Sequence, residues 1–452
     1  MTGGFVAPVA FVDEGLGNSS YLVDLGDRRA LVVDPARHPG GYIAEAERRG
    51  LEVAYAVETH LHADFVSGAR ELGALGAALL APGHAGERFG ARCLADGEEV
   101  DLGGLTLRAV GTPGHTPEHL AYLLVDGATP VALFSGGSLL VASVARTDLI
   151  DPERTEALAR SLWRSLRERV LVLPDDLRVY PTHGAGSFCS APAGAERTTT
   201  IGREKRANPL LSAPDEDAFL RQLLGGLGTY PPYFLRLRDL NRAGPQLYGP
   251  GEALLPALRP QDLRRLLAAG AWVVDARDVD AYARGHVPGS VSIALRPQFA
   301  TWLGWVVPFG AAVVLVADDA DDVAELVRQA RNIGYDQLLG VLAGGVDGWG
   351  SAGYDLGTIP LRPVEQAFGP VLDVRQRGEY DAGHVRGAHN VELGSLTAAE
   401  APPGPVAVMC GHGERAMTAA SLLARGGRQD VTVLVGGPDE WARHQGPLEI
   451  GS

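Results

Sequence analysis

Cysteine is scarce in this 452-residue chain: Cys93, Cys189 and Cys410 are its only three, an odd number at wide spacing. A disulfide framework is therefore not expected, and a reducing, cytoplasmic setting is. No run of 18 apolar residues occurs, so no membrane-spanning helix is expected. The N-terminus lacks a basic segment followed by an apolar block, which argues against a secretory signal. Positive charge is in deficit, 40 Lys and Arg against 55 Asp and Glu, a net charge of −15. That balance argues against nucleic acid and anionic membrane surfaces as partners. What is present is globular, 46% hydrophobic and 21% charged. A chain of this length is expected to form about two to four domains.

Thr59-His60-Leu61-His62-Ala63-Asp64 carries the most chemistry per residue. It follows a short apolar run, Val53 to Val57, that reads as a buried strand. Two imidazoles at i and i+2 on a tight strand-to-helix turn can converge on one cation. Nitrogen and oxygen donors of this kind suit zinc or iron(II). Further histidines recur in Gly-containing loops at His115 and His183, and Cys189 follows His183 in the same loop. His84 and His119 read as surface residues or as supports for the ligands.

Gly and Pro cluster from Asn241-Arg242-Ala243-Gly244-Pro245 to Gly249-Pro250-Gly251, which marks a linker. A second break lies near Gly357 to Pro363. Between and after these breaks the chain repeats itself. Val273-Val274-Asp275-Ala276-Arg277 with Gly285-His286 matches Val371-Leu372-Asp373-Val374-Arg375 with Gly383-His384, at the same Asp-to-His interval. Gly344-Gly345-Val346-Asp347-Gly348-Trp349 then matches Gly436-Gly437-Pro438-Asp439-Glu440-Trp441. Each copy alternates strand and helix, which predicts a parallel sheet with helices on its faces.

Cys410 ends the apolar run Val406 to Met409 and opens the loop Gly411-His412-Gly413-Glu414-Arg415, ahead of a helical stretch from Ala416 to Arg425. A thiol so placed meets backbone N–H groups and the positive end of a helix, which favour the thiolate nucleophile. The middle copy differs. Aligning Val314 to Ala317 on Ala407 to Cys410 puts Ala317 at the nucleophile position and Asp318, Asp319, Asp321 and Asp322 in the loop. Without a thiol, and with carboxylates that would repel anions, the middle copy is predicted to be inert.

His60-x-His62-x-Asp64 resembles the H-x-H-x-D-H signature of the metallo-β-lactamase superfamily. Gly17 to Val23 with Ala30 to Pro35, Gly114-His115-Thr116 and Pro181-Thr182-His183-Gly184 follow in that superfamily's order. Within it the chain is similar to the persulfide dioxygenases fused to rhodanese domains, through Phe134-Ser135-Gly136-Gly137 with Arg146-Thr147-Asp148-Leu149, and Thr200 to Pro209. The two repeats look like rhodanese modules, and Cys410 and Arg415 match the rhodanese C-x-x-x-x-R loop.

The resemblance implies an α/β protein: an αββα metallo-β-lactamase sandwich over 1–245, an inactive rhodanese-like domain over 255–357 and an active one over 362–452. It implies a first metal position of His60, His62 and His115. Asp64 and His183 belong to the second position, where Phe65 replaces a histidine, so one ion is favoured over two. Gly137 stands where the family has a carboxylate ligand. Asp64 or Asp148 could substitute for it, or the site could be empty of metal. Iron(II) is the expected ion, with zinc(II) and a metal-free site as the alternatives.

The implied activity is oxidation of a small thiol persulfide by O2 to sulfite, coupled to sulfur transfer through a persulfide on Cys410, with Arg415 steering anionic donors. Cys189 is either a small buried residue or a sulfur relay. A glyoxalase II-type zinc thioesterase, or a rhodanese with an inactive metal domain, are the competing readings. Small thiol persulfides or thiosulfate are the expected partners; a homodimer is left open.

Overall fold

The computed structural model describes residues 5–83, 85–86, 89–189, 196–251, 255–397 and 399–451; His84 lies outside them. The chain divides into two compact units, one built mainly on residues before 252 and the other on residues after it. No helix among the described residues is long and apolar enough to cross a membrane.

The first unit holds two six-stranded sheets. One orders Val9–Asp13, Asn18–Gly26, Arg29–Val33, Glu52–Val57, Ala78–Pro82 and Arg92–Leu94 as they occur in the chain. The other runs Thr199–Thr200, Arg178–Pro181, Thr129–Gly136, Leu120–Asp126, Leu105–Gly111, Glu99–Asp101. Their inner strands are apolar on both faces, as sheets covered on both sides require. Tyr21, Val23 and Leu31 from one sheet meet Leu107, Tyr122 and Phe134 from the other in one core. Leu22 and Val32, pointing the opposite way by the period of two, pack against Tyr42, Ala46 and Leu72 of the outer helices. Leu162 and Phe219 cover Leu133 and Val179 on the far face. The result is the expected αββα sandwich.

This topology gathers the histidine loops. The motif loop leaves the strand Glu52–Val57, His115 follows Leu105–Gly111, Gly137 follows Thr129–Gly136, and His183 follows Arg178–Pro181. Thr129–Gly136 is parallel to Arg178–Pro181 and antiparallel to Leu120–Asp126, which is itself antiparallel to Leu105–Gly111. Three of the four loops therefore emerge at one end of one sheet.

The second unit holds two five-stranded parallel sheets with matching strand order. The middle copy runs Ala257–Leu258, Leu338–Leu342, Val313–Val316, Trp272–Asp275, Val291–Ser292. The last copy runs Leu361–Pro363, Val431–Val435, Val406–Met409, Val371–Asp373, His389–Asn390. This is the repeated parallel-sheet architecture the sequence predicted, and the shared Asp, Arg and His are a bracing device in both copies. Arg277 pairs with Asp275 at 2.7 Å and donates to the Gly285 carbonyl at 2.8 Å. Arg375 does the same with Asp373 at 2.7 Å and Gly383 at 2.8 Å. His286 stacks on Tyr282 with ring centroids 4.0 Å apart, and His384 on Tyr380 at 3.7 Å.

Asp373 is fully buried and pairs with Arg375 at 2.7 Å. Asp373→Asn leaves a buried guanidinium uncompensated, a loss of about 3–5 kcal/mol. A lower urea midpoint for the C-terminal unit, followed by circular dichroism, is the expected outcome.

Candidate functional site

Asp34 organises the first site. It ends the strand Arg29–Val33 with φ at 48°, a left-handed conformation that Asp tolerates. Its carboxylate accepts the Thr59 backbone N–H at 2.7 Å, the Thr59 hydroxyl at 2.8 Å, and the Thr182 hydroxyl. Thr59 has spent its one hydroxyl proton on Asp34, so its Oγ1 accepts from His60 Nδ1 at 2.9 Å. That fixes the His60 tautomer and leaves Nε2 bare. His115 is fixed the same way, with Nδ1 donating to the Arg146 carbonyl at 2.6 Å. His183 directs Nδ1 at Asp64 Oδ2 and Asn18 Oδ1, both at 3.1 Å. Its Nε2 lies 3.4 Å from His60 Nε2.

His60, His115 and His183 thus form a buried group whose donor atoms lie within 4.8 Å of one another. The sequence pointed to His60, His62 and His115. His62 is drawn elsewhere, because its Nε2 sits 2.9 Å from Glu58 Oε2 and 3.3 Å from Asp34 Oδ1. It belongs instead to two other candidate groups, with Asp64 and His183 and with Asp34 and Glu58. Asp148, named as a substitute ligand, is taken up by Arg146 in a two-pronged pair at 2.7 and 2.8 Å. His119 is neutral and committed on both nitrogens: Gly137 N–H donates to Nε2 at 2.9 Å and Nδ1 donates to Thr112 Oγ1 at 2.8 Å.

Charge follows this wiring. Burial disfavours a proton on His60 and His115, and neighbouring imidazoles add to it, so both stay neutral well below the usual range. Burial also lowers His119, to about 4. Burial opposes the charge on His62, but Asp34 and Glu58 outweigh it and lift the pKa to about 9. Burial likewise opposes the charge on Asp64, yet His183 holds it down to about 2. Cys189 brings its Sγ to 3.8 Å from Asp64 Oδ2, and burial pushes its thiol up.

The donor set fits a cation. Two imidazole nitrogens 3.4 Å apart repel unless a proton or a metal lies between them. Donors on a tetrahedral ion with bonds of about 2.0–2.1 Å are spaced by roughly that distance. Among the described residues, Asp64 Oδ1 is buried with no hydrogen-bond partner, as a group waiting on a ligand would be.

The second site is the loop after Val406–Met409. Cys410 is 1% exposed, and its Sγ accepts the Gly413 N–H at 3.1 Å, just ahead of the helix Glu414–Arg425. Arg415 does not stand free. It forms a two-pronged pair with Glu379 at 2.6 and 2.8 Å, and its guanidinium lies 5.6 Å from the Trp302 ring centroid. Gly411 and His412 complete the loop, and Glu414 pairs with Arg296 of the middle copy. In that copy Ala317 follows the matching strand, and the helix Ala320–Asn332 begins after a shorter loop.

The metallo-β-lactamase superfamily profile matches residues 13–183, and the rhodanese-like domain profile matches 259–352 and 362–444. A hydroxyacylglutathione hydrolase from Rhodopseudomonas palustris (strain BisB18) is 30% identical over 249 residues, 49% of this chain and 93% of that protein. A metallo-β-lactamase crystal structure from Staphylococcus aureus subsp. aureus COL superimposes with a TM-score of 0.67 at 30% identity, covering 75% of this chain and 99% of that one. The chain belongs to the metallo-β-lactamase superfamily. The human mitochondrial persulfide dioxygenase ETHE1 is 29% identical over 217 residues, 47% of this chain and 78% of that protein.

This superfamily member therefore joins a metallo-β-lactamase domain with persulfide dioxygenase homologues to tandem rhodanese-like domains. Its departure at Gly137 is built into the packing. A Cβ there would lie 2.5 Å from His115 Cδ2 and 3.1 Å from Ala145 Cβ, so a side chain at this position requires the His115 ring to move. Phe65 stacks on His62 with centroids 4.2 Å apart, filling the place of a ligand with an apolar wall. Reading the sequence missed Glu58, Glu379 and Trp302. Glu58 was visible as an acid beside the motif, whereas the other two are brought to their partners only by the tertiary fold.

His62 yields a pH prediction. Its folded pKa of about 9 lies above the ordinary 6.5, so its contribution to stability is complete below about pH 6.5 and is lost as pH rises through 9. The melting temperature of metal-free protein is expected to fall across that window. His62→Gln should flatten the decline, as read by thermal melts in a pH series.

Proposed function

We propose that this chain is a sulfur-metabolism enzyme in which Cys410 carries sulfane sulfur and the metal-binding domain acts on a small thiol persulfide. The observation that carries the reading is the Cys410 thiol receiving a backbone N–H at the start of a helix, while the twin domain has Ala317 in that place. The first half of the function leans on the persulfide dioxygenase relative and on the three bare imidazole nitrogens.

When bound, a divalent ion would supply Lewis acidity toward a sulfur anion. Around it, this chain's residues do defined work. Asp34, through Thr59, holds the His60 tautomer, the Arg146 carbonyl holds that of His115, and Asp64 orients His183. Phe65, buried and stacked on His62, offers an apolar ring where a ligand would otherwise stand. Iron(II) is the ion we favour, because the proposed reaction consumes O2. Zinc(II) is the alternative, and a neutral three-imidazole set with no carboxylate at position 137 favours it; with it would come hydrolysis of a glutathione thioester, the Rhodopseudomonas relative being named a hydroxyacylglutathione hydrolase. Tethering the two activities in one chain raises the effective concentration of the intermediate they share.

Two measurements separate the readings. Iron-loaded protein given glutathione persulfide is expected to consume O2 and release sulfite, and His183→Ala should lower both metal content and sulfite at least tenfold. Thioester cleavage without O2 uptake would favour the hydrolase. Cys410→Ser is expected to abolish sulfur transfer from thiosulfate or a persulfide to cyanide while leaving metal content unchanged; full transfer by that variant would remove the carrier role.

A further inference from the structure

Arg415 is the residue expected to receive an anionic donor, yet its fork is already filled. Nη1 meets Glu379 Oε2 at 2.6 Å and Nη2 meets Oε1 at 2.8 Å. This is the two-oxygen contact that a guanidinium otherwise offers to a substrate oxyanion. Glu379 is itself tethered. It is the third residue of the helix Arg377–Ala382, and its Oε2 accepts the Gln376 backbone N–H at 3.1 Å. On the guanidinium face lies Trp302, contributed by the middle copy. Trp302 and Cys410 belong to one apolar cluster, so that wall is continuous with the thiol's surroundings.

We propose that Glu379 determines which sulfur donors Cys410 accepts, by holding the Arg415 fork against small sulfur oxyanions and leaving thiol persulfides favoured. The proposal rests on Cys410 being the sulfur carrier. Thiosulfate is a dianion whose oxygens need that fork. To use it, thiosulfate must displace a tethered carboxylate or bind beside a pair of no net charge. A thiol persulfide, R–S–SH, carries at most one charge and is anchored by its R group.

In both cases the Cys410 thiolate attacks the outer sulfur and the donor's S–S bond breaks. With R–S–SH the electron pair leaves on R–S⁻, and the proton stays on the transferred sulfur as Cys410–S–SH. With thiosulfate the electron pair leaves on sulfite and Cys410–S–S⁻ results. Neither step needs an oxidant or reductant. The middle copy gains a role here, because its Trp302 closes the face of Arg415 that Glu379 does not.

The test is donor kinetics on the full chain, with cyanide as acceptor and thiosulfate or glutathione persulfide as donor. Glu379→Gln is the informative variant, since Gln at this position keeps the helix start while releasing the charge on Arg415. KM for thiosulfate is expected to fall about fivefold, and KM for glutathione persulfide to stay within about twofold. Gln376→Ala, which disturbs the same helix start without freeing Arg415, should move neither.

Calorimetry gives a second readout: thiosulfate should bind the Cys410→Ser, Glu379→Gln double variant about fivefold more tightly than Cys410→Ser alone. An unchanged thiosulfate KM and affinity, or equal shifts for both donors, would overturn the proposal. If Cys410→Ser abolishes transfer in the same series, that failure belongs to Glu379 alone and the carrier reading stands; if transfer survives in Cys410→Ser, the carrier reading has failed.

Discussion

Five imidazoles and three carboxylates share one buried volume in the first unit: His60, His62, His115, His119 and His183 with Asp34, Glu58 and Asp64 are all shielded from solvent. Such a volume is tolerable only if every charge is matched and every proton assigned. The carboxylates do the assigning. Asp34 reaches His60 through Thr59 and, with Glu58, claims His62, while Asp64 claims the inner nitrogen of His183. What survives this sorting is a set of unclaimed Nε2 atoms on His60, His115 and His183. A cation site can thus be defined by subtraction, as the place where the outer nitrogens of three imidazoles are left facing one another once their inner nitrogens have been claimed.

The C-terminal unit solves a different problem with a repeated part. Both copies keep the buried Asp–Arg pair, the stacked Tyr–His pair and the same strand order. These features stabilise the fold and carry no chemistry, so their retention in a copy without a nucleophile follows. In the chemistry they can carry, the two copies part at the loop after the third strand in each order. One offers glycines and a thiol, the other Ala317 with Asp318 and Asp319.

Much of this was legible in the chain. The two parallel sheets followed from apolar runs of strand length and an exact-interval repeat, and the αββα sandwich was implied by the resemblance of the histidine loops to those of the metallo-β-lactamase superfamily. Cys410 was legible because strand, thiol, glycines and helix are contiguous. The choice among histidines was not. Spacing shows that His60 and His62 share a turn, but whether His62 faces the other imidazoles or Glu58 depends on two carboxylates, one of them on a distant strand. Asp148 looked available in the sequence because nothing there shows that Arg146 folds back over it. Glu379 lies 36 positions from Arg415, and no local pattern announces their pairing.

The loss of the carboxylate at Gly137 looks, by sequence, like the loss of the site. In the structure the space is not vacant, since the His115 ring occupies what a side chain there would need. His183 then completes a three-nitrogen set, with Asp64 one hydrogen bond behind it. Moving the negative charge from contact with the ion to the far side of an imidazole changes the chemistry in a definite direction. The ion keeps more of its +2 charge and binds sulfur anions more strongly, while its own hold on the protein weakens. In the metal-free state a proton can take the ion's place between His60 and His183; burial opposes that charge on His183, but the neighbouring Cys189 and Asp64 outweigh it and raise its pKa well above the ordinary value. Proton and metal then compete for the same pair of nitrogens, so metal retention should rise with pH even though the adjoining His62 pair weakens over the same range.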